Sequence, residues 1–187
     1  MKPLSPNAPR AIIMVGIPGS GKSTFAEHFA KTFQSPIVNQ RAIAEMTEND
    51  EISNKVAAHM LSELFKTRRT LIYEGPTATK ASRIAIAKEA LAAGYEPLIV
   101  WVQTESLEAK RRATRKQKNN YPMTDEEFDA AIRRFNPPSV QEKPVVISGK
   151  HTYASQLKIV LKRVAGDQRP EIPPEPRVRS SRNIILR

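Results

Sequence analysis

Eight residues near the amino end have types and spacing that suit phosphate chemistry: Gly16-Ile17-Pro18-Gly19-Ser20-Gly21-Lys22-Ser23 reads G-x-x-x-x-G-K-[ST], with Thr24 next. Glycines at Gly16, Gly19 and Gly21 let the backbone wrap, so that successive N–H groups and a helix N-terminus aim at phosphate oxygens. Pro18 and Ser20 complete the turn. Lys22 would reach the β- and γ-phosphates, and the Ser23 hydroxyl would ligate Mg²⁺. The spacing therefore predicts a site for a nucleoside triphosphate, ATP or GTP, with Mg²⁺. A glycine-rich turn without function is the alternative, and the flanks argue against it. Ala11-Ile12-Ile13-Met14-Val15 is an apolar strand-forming run, and Phe25, Phe29, Ala30 and Phe33 follow at helical spacing.

A carboxylate and a group of arginines are the other chemistry-bearing residues. Glu74 closes the run Thr70-Leu71-Ile72-Tyr73-Glu74, which Gly75-Pro76 stops. At a strand end beside a phosphate loop, a carboxylate can hold a Mg²⁺-bound water or orient an acceptor; otherwise it is a strand-end acid in solvent. From Lys110 to Lys118 there are six cations (Lys110, Arg111, Arg112, Arg115, Lys116, Lys118) and no acid. Arginine suits a transferring phosphoryl group because its charge is permanent and its fork binds bidentately. Arg111 and Arg115 at i, i+4 would share a helix face, with Arg112 beside them. A solvated basic face is the competing reading, and Lys116 and Lys118 fit it, or a track for a nucleic-acid backbone. Arg133 and Arg134, on the helix after, could complete the cluster.

The elements that must position these residues alternate along the chain. Strand-like runs fall at residues 11–15, 36–39, 70–74, 97–102 and 145–147. Helical periods fall at residues 23–33, 52–69, 80–93, 105–119, 124–135 and 153–164, with a capping signature at Thr124-Asp125-Glu126-Glu127. Short connections between alternating strands and helices predict a five-stranded parallel sheet in a three-layer α/β/α sandwich. Residues 105–136 would form a helical lid. Trp101, in a continuous apolar run, reads as core packing.

The 187-residue chain suits one domain over residues 11–166, with a proline-containing leader at 1–10 and a Pro/Arg-rich extended tail at 167–187 that could bind a partner. The absence of cysteine excludes disulfides, thiolate zinc sites and a cysteine nucleophile. His28, His59 and His151 lie far apart without metal-ligand spacing. No apolar run is long enough to cross a bilayer, and the N-terminus lacks a signal-peptide pattern, so the expected location is the cytoplasm and no membrane partner is expected. A formal net charge of +11 favours polyanionic partners, nucleic acid first.

The arrangement resembles the small P-loop kinases, in particular the polynucleotide 5′-kinase-like group with its AAA-type ATP-binding domain, over residues 11–165. The resemblance rests on the phosphate loop through Thr24, on Ile72-Tyr73-Glu74-Gly75-Pro76-Thr77 with Arg83 following, on Lys110-Arg111-Arg112-Ala113-Thr114-Arg115, and on Phe135-Asn136-Pro137-Pro138. It implies transfer of a γ-phosphoryl group from ATP to a hydroxyl, with lid arginines over the nucleotide. Lys22, Glu74, Arg111 and Arg115 would be catalytic, and Arg112 would contact the nucleotide. Thr77 and Arg83 would be weaker candidates for acceptor contacts. It also implies an aspartate two residues after Asn39 as general base, and there the chain departs: that position holds Arg41, and the partner arginine position holds Ala44. Arginine stays protonated and cannot serve as a base. Glu45, one turn on, could take the role or simply pair with Arg41. The leading expectation is a kinase for a hydroxyl, the 5′ end of RNA or DNA above all. The others are a small-metabolite kinase and a nucleotide-binding switch or adaptor with feeble turnover.

Overall fold

The apolar run before the phosphate loop forms β1 (Arg10–Val15), whose alternating side chains face two cores. Ile12 and Met14 join Phe25, Phe29 and Phe33 of α1 (Lys22–Phe33) and Val160 and Val164 of α7 (Tyr153–Gly166). Ala11, Ile13 and Val15 face the opposite way. There they join Ala57 and Leu61 of α3 (Asp50–Lys66) and Ile86 and Ala90 of α4 (Lys80–Ala92). A strand buried on both faces is the signature of a parallel sheet under two helical layers. The computed structural model describes residues 9–47, 49–115 and 122–166. The expected leader up to residue 8, Lys116, Lys118 and the tail from residue 167 lie outside the described residues.

The remaining strands are β2 (Ile37–Asn39), β3 (Leu71–Glu74), β4 (Glu96–Gln103) and β5 (Val145–Ser148). All pairings are parallel and the order is β2-β3-β1-β4-β5. The fold is thus the expected three-layer α/β/α sandwich of the P-loop kinase type. Trp101 packs against the second core. Among the described residues no helix is long and apolar enough to cross a membrane.

Three boundaries differ from the sequence expectation. The first strand begins at Arg10, which is buried and paired with Glu96 at 2.9 Å, so Arg10 belongs to the sheet and not to the leader. A five-residue helix, α2 (Gln40–Ala44), follows β2 directly, capped by the Asn39 side chain, which accepts from the Ala42 N–H at 3.1 Å. The region expected to form a lid opens with α5 (Ser106–Thr114), which stops well short of residue 119 because Arg115 is already extended (φ −76°, ψ 128°). The next helix, α6 (Asp125–Arg134), starts on the expected Thr124–Glu127 capping box.

Candidate active site

In a parallel sheet the carboxyl ends of the strands are where a ligand cleft forms. Here β1 delivers the phosphate loop, β2 ends at Asn39, β3 at Glu74, β4 leads to Thr104 and β5 to Gly149. Around them lies a cleft of about 990 Å³. The loop residues Pro18, Gly19, Gly21, Lys22, Ser23 and Thr24 line it; Gly16 and Ser20 are not in its wall. Ser20 is fully buried beneath the loop.

Lys22 opens α1, and its ammonium donates to the Gly16 and Ile17 carbonyls at 2.8 and 2.9 Å. Those contacts fold it over the loop, in reach of the space that phosphates would fill. Burial pushes its pKa down to about 8; Glu74 pulls the other way, and the nearby Arg41 charge adds to the fall.

Ser23 and Glu74, 51 residues apart, meet because β3 lies next to β1 in the sheet. The Ser23 hydroxyl donates to Glu74 Oε1 at 2.5 Å. Glu74 Oε2 accepts from the Asn39 amide at 3.3 Å, a contact made possible by the β2–β3 register that sets Asn39 opposite Glu74. A hydroxyl and a carboxylate side by side are hard oxygen donors of the kind Mg²⁺ takes, with the rest of its shell left to waters and phosphates. Among the described residues no group of three or more His, Cys, Asp or Glu could hold a metal ion by itself.

Helix α5 sits directly on the loop. Gly19 adopts a positive φ of 73°, and a β-carbon there would collide with the Ala109 carbonyl of α5. Gly149 is equally constrained: a β-carbon would run into the Ser20 carbonyl and the Thr104 hydroxyl. Thr104 donates to the Ser20 carbonyl at 3.0 Å, so loop, lid root and the turn after β5 are packed as one block. Arg112 lines the cleft, donating to the Gly149 carbonyl at 3.0 Å and to Glu108 at 2.9 Å. Arg115, released from the helix, also lines the cleft. Arg111 does not: its side chain is 76 % exposed and pairs with Glu108 at 3.0 Å. The expected shared face of Arg111 and Arg115 is absent because α5 ends between them, and Arg112 joins Arg115 instead.

The far end of the cleft is lined by Gln40, Arg41 and Ala44 of α2, by Asp50, Ser53 and Asn54 of α3, and by Gly75 and Pro76. Gln40 donates to Asn54, tying the two helices across the floor. Arg41 and Glu45 form the i, i+4 pair at 3.3 Å, both about half exposed. Asp50 and Asn54 had no place in the sequence-based set. The apolar period places the helix start at Ile52, but Asn49 caps it three residues earlier, accepting from the Ile52 N–H at 2.9 Å. Thr77 and Arg83 take no part in the cleft. Thr77 donates to the Met14 carbonyl at 2.7 Å, and Arg83, 1 % exposed, is bound to Glu142 at 2.7 and 3.1 Å and to the Asn136 carbonyl at 2.9 Å. That pair holds Glu142 down to about 2 and fastens the exit of the lid to the turn after β3.

Residues 12–138 match the family described as "AAA domain". No curated protein matches the chain in sequence. In fold it is similar to a gluconokinase from Sinorhizobium meliloti 1021 (15 % identity, 86 % of this chain and 94 % of that one, TM-score 0.64). It is also similar to Kti12 of Chaetomium thermophilum, solved in complex with ADP-AlF3 (13 % identity, 86 % and 100 % covered, TM-score 0.62). A chain of the Pnkp1/Rnl/Hen1 complex is 25 % identical over 63 % of this chain and 44 % of its own length, with a TM-score of 0.50.

Proposed function

This chain belongs to the AAA domain family, and we propose that it is a phosphotransferase that binds ATP or GTP with Mg²⁺ and passes the γ-phosphoryl group to an acceptor. The observation that carries the reading is a cleft with two ends under one lid. At one end are Lys22, the Ser23–Glu74 pair and the arginines Arg112 and Arg115; at the other a separate polar floor of Gln40, Arg41, Asp50 and Asn54. A nucleotide switch would need the first end alone.

The roles follow from position. The loop N–H groups and Lys22 would cradle the phosphates, while Ser23 and Glu74 would hold Mg²⁺, which draws charge off the phosphoryl oxygens when bound. Arg115, standing free of the helix at the cleft wall, would meet the charge that develops in the transition state. Arg112, anchored to Glu108 and Gly149, would contact the nucleotide from the lid side. Arg111 is assigned to the solvated face of the lid.

A hydroxyl acceptor is the second reading, with the 5′ end of RNA or DNA ahead of a small metabolite. The basic lid supports the polynucleotide; a gluconokinase among the fold neighbours supports the metabolite. Either hydroxyl needs a group to take its proton, and Asp50 is the carboxylate that lines the acceptor floor. The test is transfer of label from γ-³²P-ATP with Mg²⁺ to acceptors, 5′-hydroxyl oligonucleotides among them, beside the Lys22→Ala variant. Label transfer lost in the variant is the expected result. Full transfer by the variant would remove the phosphate loop from the mechanism.

A further inference from the structure

Ser53 stands on the acceptor floor with no hydrogen bond of its side chain to the fold. It shares one stripe of α3 with Ala57 and Leu61, four and eight residues on, which are packed into the second core. An alanine there would complete the stripe. Instead the chain buries a hydroxyl, in a residue 2 % exposed, whose oxygen has no hydrogen-bond partner among the described residues. Helical hydroxyls ordinarily turn back onto a carbonyl of the preceding turn, as those of Thr32 and Ser62 do here at 2.8 and 2.7 Å. Ser53 does not, and it lines the cleft. A buried polar group without a partner costs stability, so packing alone gives no reason for a serine at this place.

Asn54, next to it, is half used. The Tyr73 hydroxyl donates to Gln40 Oε1 at 3.4 Å, and Gln40 Nε2 donates to Asn54 Oδ1, so this relay sets the Asn54 amide with its Nδ2 hydrogens still to give. Asp50, three and four residues ahead of the pair, shares their helix face and lines the same cleft, adding a carboxylate that only accepts. From this arrangement we propose that the acceptor is a sugar, free or as the ribose of a nucleoside or an RNA end, and that Ser53 and Asn54 seat a second hydroxyl of it. The proposal rests on the phosphotransferase reading with a hydroxyl acceptor and narrows that acceptor. A sugar hydroxyl both donates and accepts, so it can take a hydrogen from Asn54 Nδ2 and give its own to Ser53 Oγ. The reacting hydroxyl oxygen forms a bond to Pγ, and its proton passes to the Asp50 carboxylate. The bond from Pγ to the β,γ-bridging oxygen breaks, and its electron pair stays on the nucleoside diphosphate. The cleft of about 990 Å³ has space for a sugar beside the nucleotide.

The test uses the full chain with γ-³²P-ATP and Mg²⁺. One arm holds glucose, ribose and gluconate, a second adenosine and a 5′-hydroxyl RNA oligonucleotide, and a third the single-hydroxyl compounds ethanolamine, serine and 1-propanol. Label is expected in the first or second arm, and the arm that carries it tells a free sugar from a nucleoside or RNA ribose. The labelled compound is then compared with its deoxy analogues, one hydroxyl removed at a time. At least one analogue should lose about tenfold or more in kcat/KM, because a site built to bond a hydroxyl rejects the compound that lacks it. Asn54→Asp keeps the oxygen that Gln40 binds and removes the donor. Both it and Ser53→Ala should raise the acceptor KM about tenfold, hold the ATP KM within about threefold, and shrink the deoxy penalty. Ser53→Ala should also melt no lower than the parent; a lower melting point with an unchanged acceptor KM would return Ser53 to the fold and overturn the seat. Label confined to the third arm, or deoxy analogues as good as the parent sugar, overturns the sugar acceptor and leaves the phosphotransferase standing. Absence of label from every arm, with ATP bound, removes both.

Discussion

The proposed nucleotide end of the cleft and the proposed acceptor end are built to different standards. At the nucleotide end Lys22, Ser23 and Glu74 hang from the end of a buried strand or from the first turn of a twelve-residue helix, Lys22 bonded to the loop and Ser23 to Glu74, while Arg112 and Arg115 come from α5 and the residue after it. At the acceptor end they stand on a five-residue helix and on the first two turns of α3, with Gln40 donating to Asn54 and accepting from the Tyr73 hydroxyl at 3.4 Å. Phosphate geometry is the same for every nucleoside triphosphate, so the rigid end can be fixed by the sheet itself. Acceptors differ, and a short helix with few buried contacts can change its residues without disturbing the core. Arg41, at the position where the resemblance implies an acid, stands on such a helix beside a phosphate loop that has every residue of its pattern.

The largest effect expected falls at the rigid end. Lys22→Ala should cut turnover by about 10³-fold or more, since it removes a buried cation from the phosphoryl site, while leaving the melting transition near that of the parent. Steady-state kinetics with a denaturation curve checks both. A loss under tenfold would place the two ends of the cleft on the same footing.

Next in size is a change in the frame that both ends share. Glu142→Gln leaves the Arg83 guanidinium buried without its counter-charge, which costs about 3 kcal/mol by analogy with other buried pairs. The Glu142 carboxyl sits near 2 in the folded chain, below its ordinary value of 4.5. A depressed carboxyl stabilises the fold above the unfolded value, so this contribution should be complete at neutral pH. It fades as pH falls from 4.5 toward 2. Urea titrations across that range should show the parent losing stability that the variant never had.

Arg115→Ala should slow transfer by about 10- to 100-fold while changing the ATP dissociation constant much less, the mark of a contact made chiefly in the transition state. Arg111→Ala should change neither, because that side chain faces solvent. Reversal of the two results would return the lid to the face that helical spacing alone suggests.

That pair of arginines also shows where the sequence stops being readable. The phosphate loop is a local signal and its flanks confirm it, so its residues are legible without a fold. Glu74 is nearly as legible, as the last residue of a strand ahead of Gly75-Pro76. The choice among the lid arginines needs the helix end, and nothing between Lys110 and Arg115 marks one; the first breaker is Pro122. Helix α2 is hidden for another reason: five residues are too few to show a period. Asp50 was missed because the apolar period begins after the Asn49 cap. Arg83 and Glu142 are 59 residues apart, and no spacing rule joins them. A signal did exist, however. Arg83 falls on one face with Ile86 and Ala90, so a charge stands on the buried stripe of α4 and must have a partner.

The smallest effect links the two ends through proton binding at Lys22. Burial brings its ammonium to about 8 from an ordinary 10.5, so part of the phosphate-binding charge is lost just above neutral pH. Two consequences have opposite signs. The unfolded chain holds this proton more tightly than the folded one, so folding stability should rise with pH between about 8 and 10.5. Nucleotide binding needs the ammonium, so affinity should fall as pH climbs through 8, by at most about tenfold per unit, with proton uptake accompanying binding. Calorimetry in two buffers of different ionisation enthalpy measures that uptake directly. The neighbours then decide its midpoint. Glu74 raises the Lys22 value, so Glu74→Gln should move the midpoint down; Arg41 lowers it, so Arg41→Gln should move it up by a smaller amount. An upward shift in Arg41→Gln means that the acceptor-side cation acts at the phosphoryl site. A midpoint that ignores Arg41 means that the two ends of the cleft are electrostatically separate.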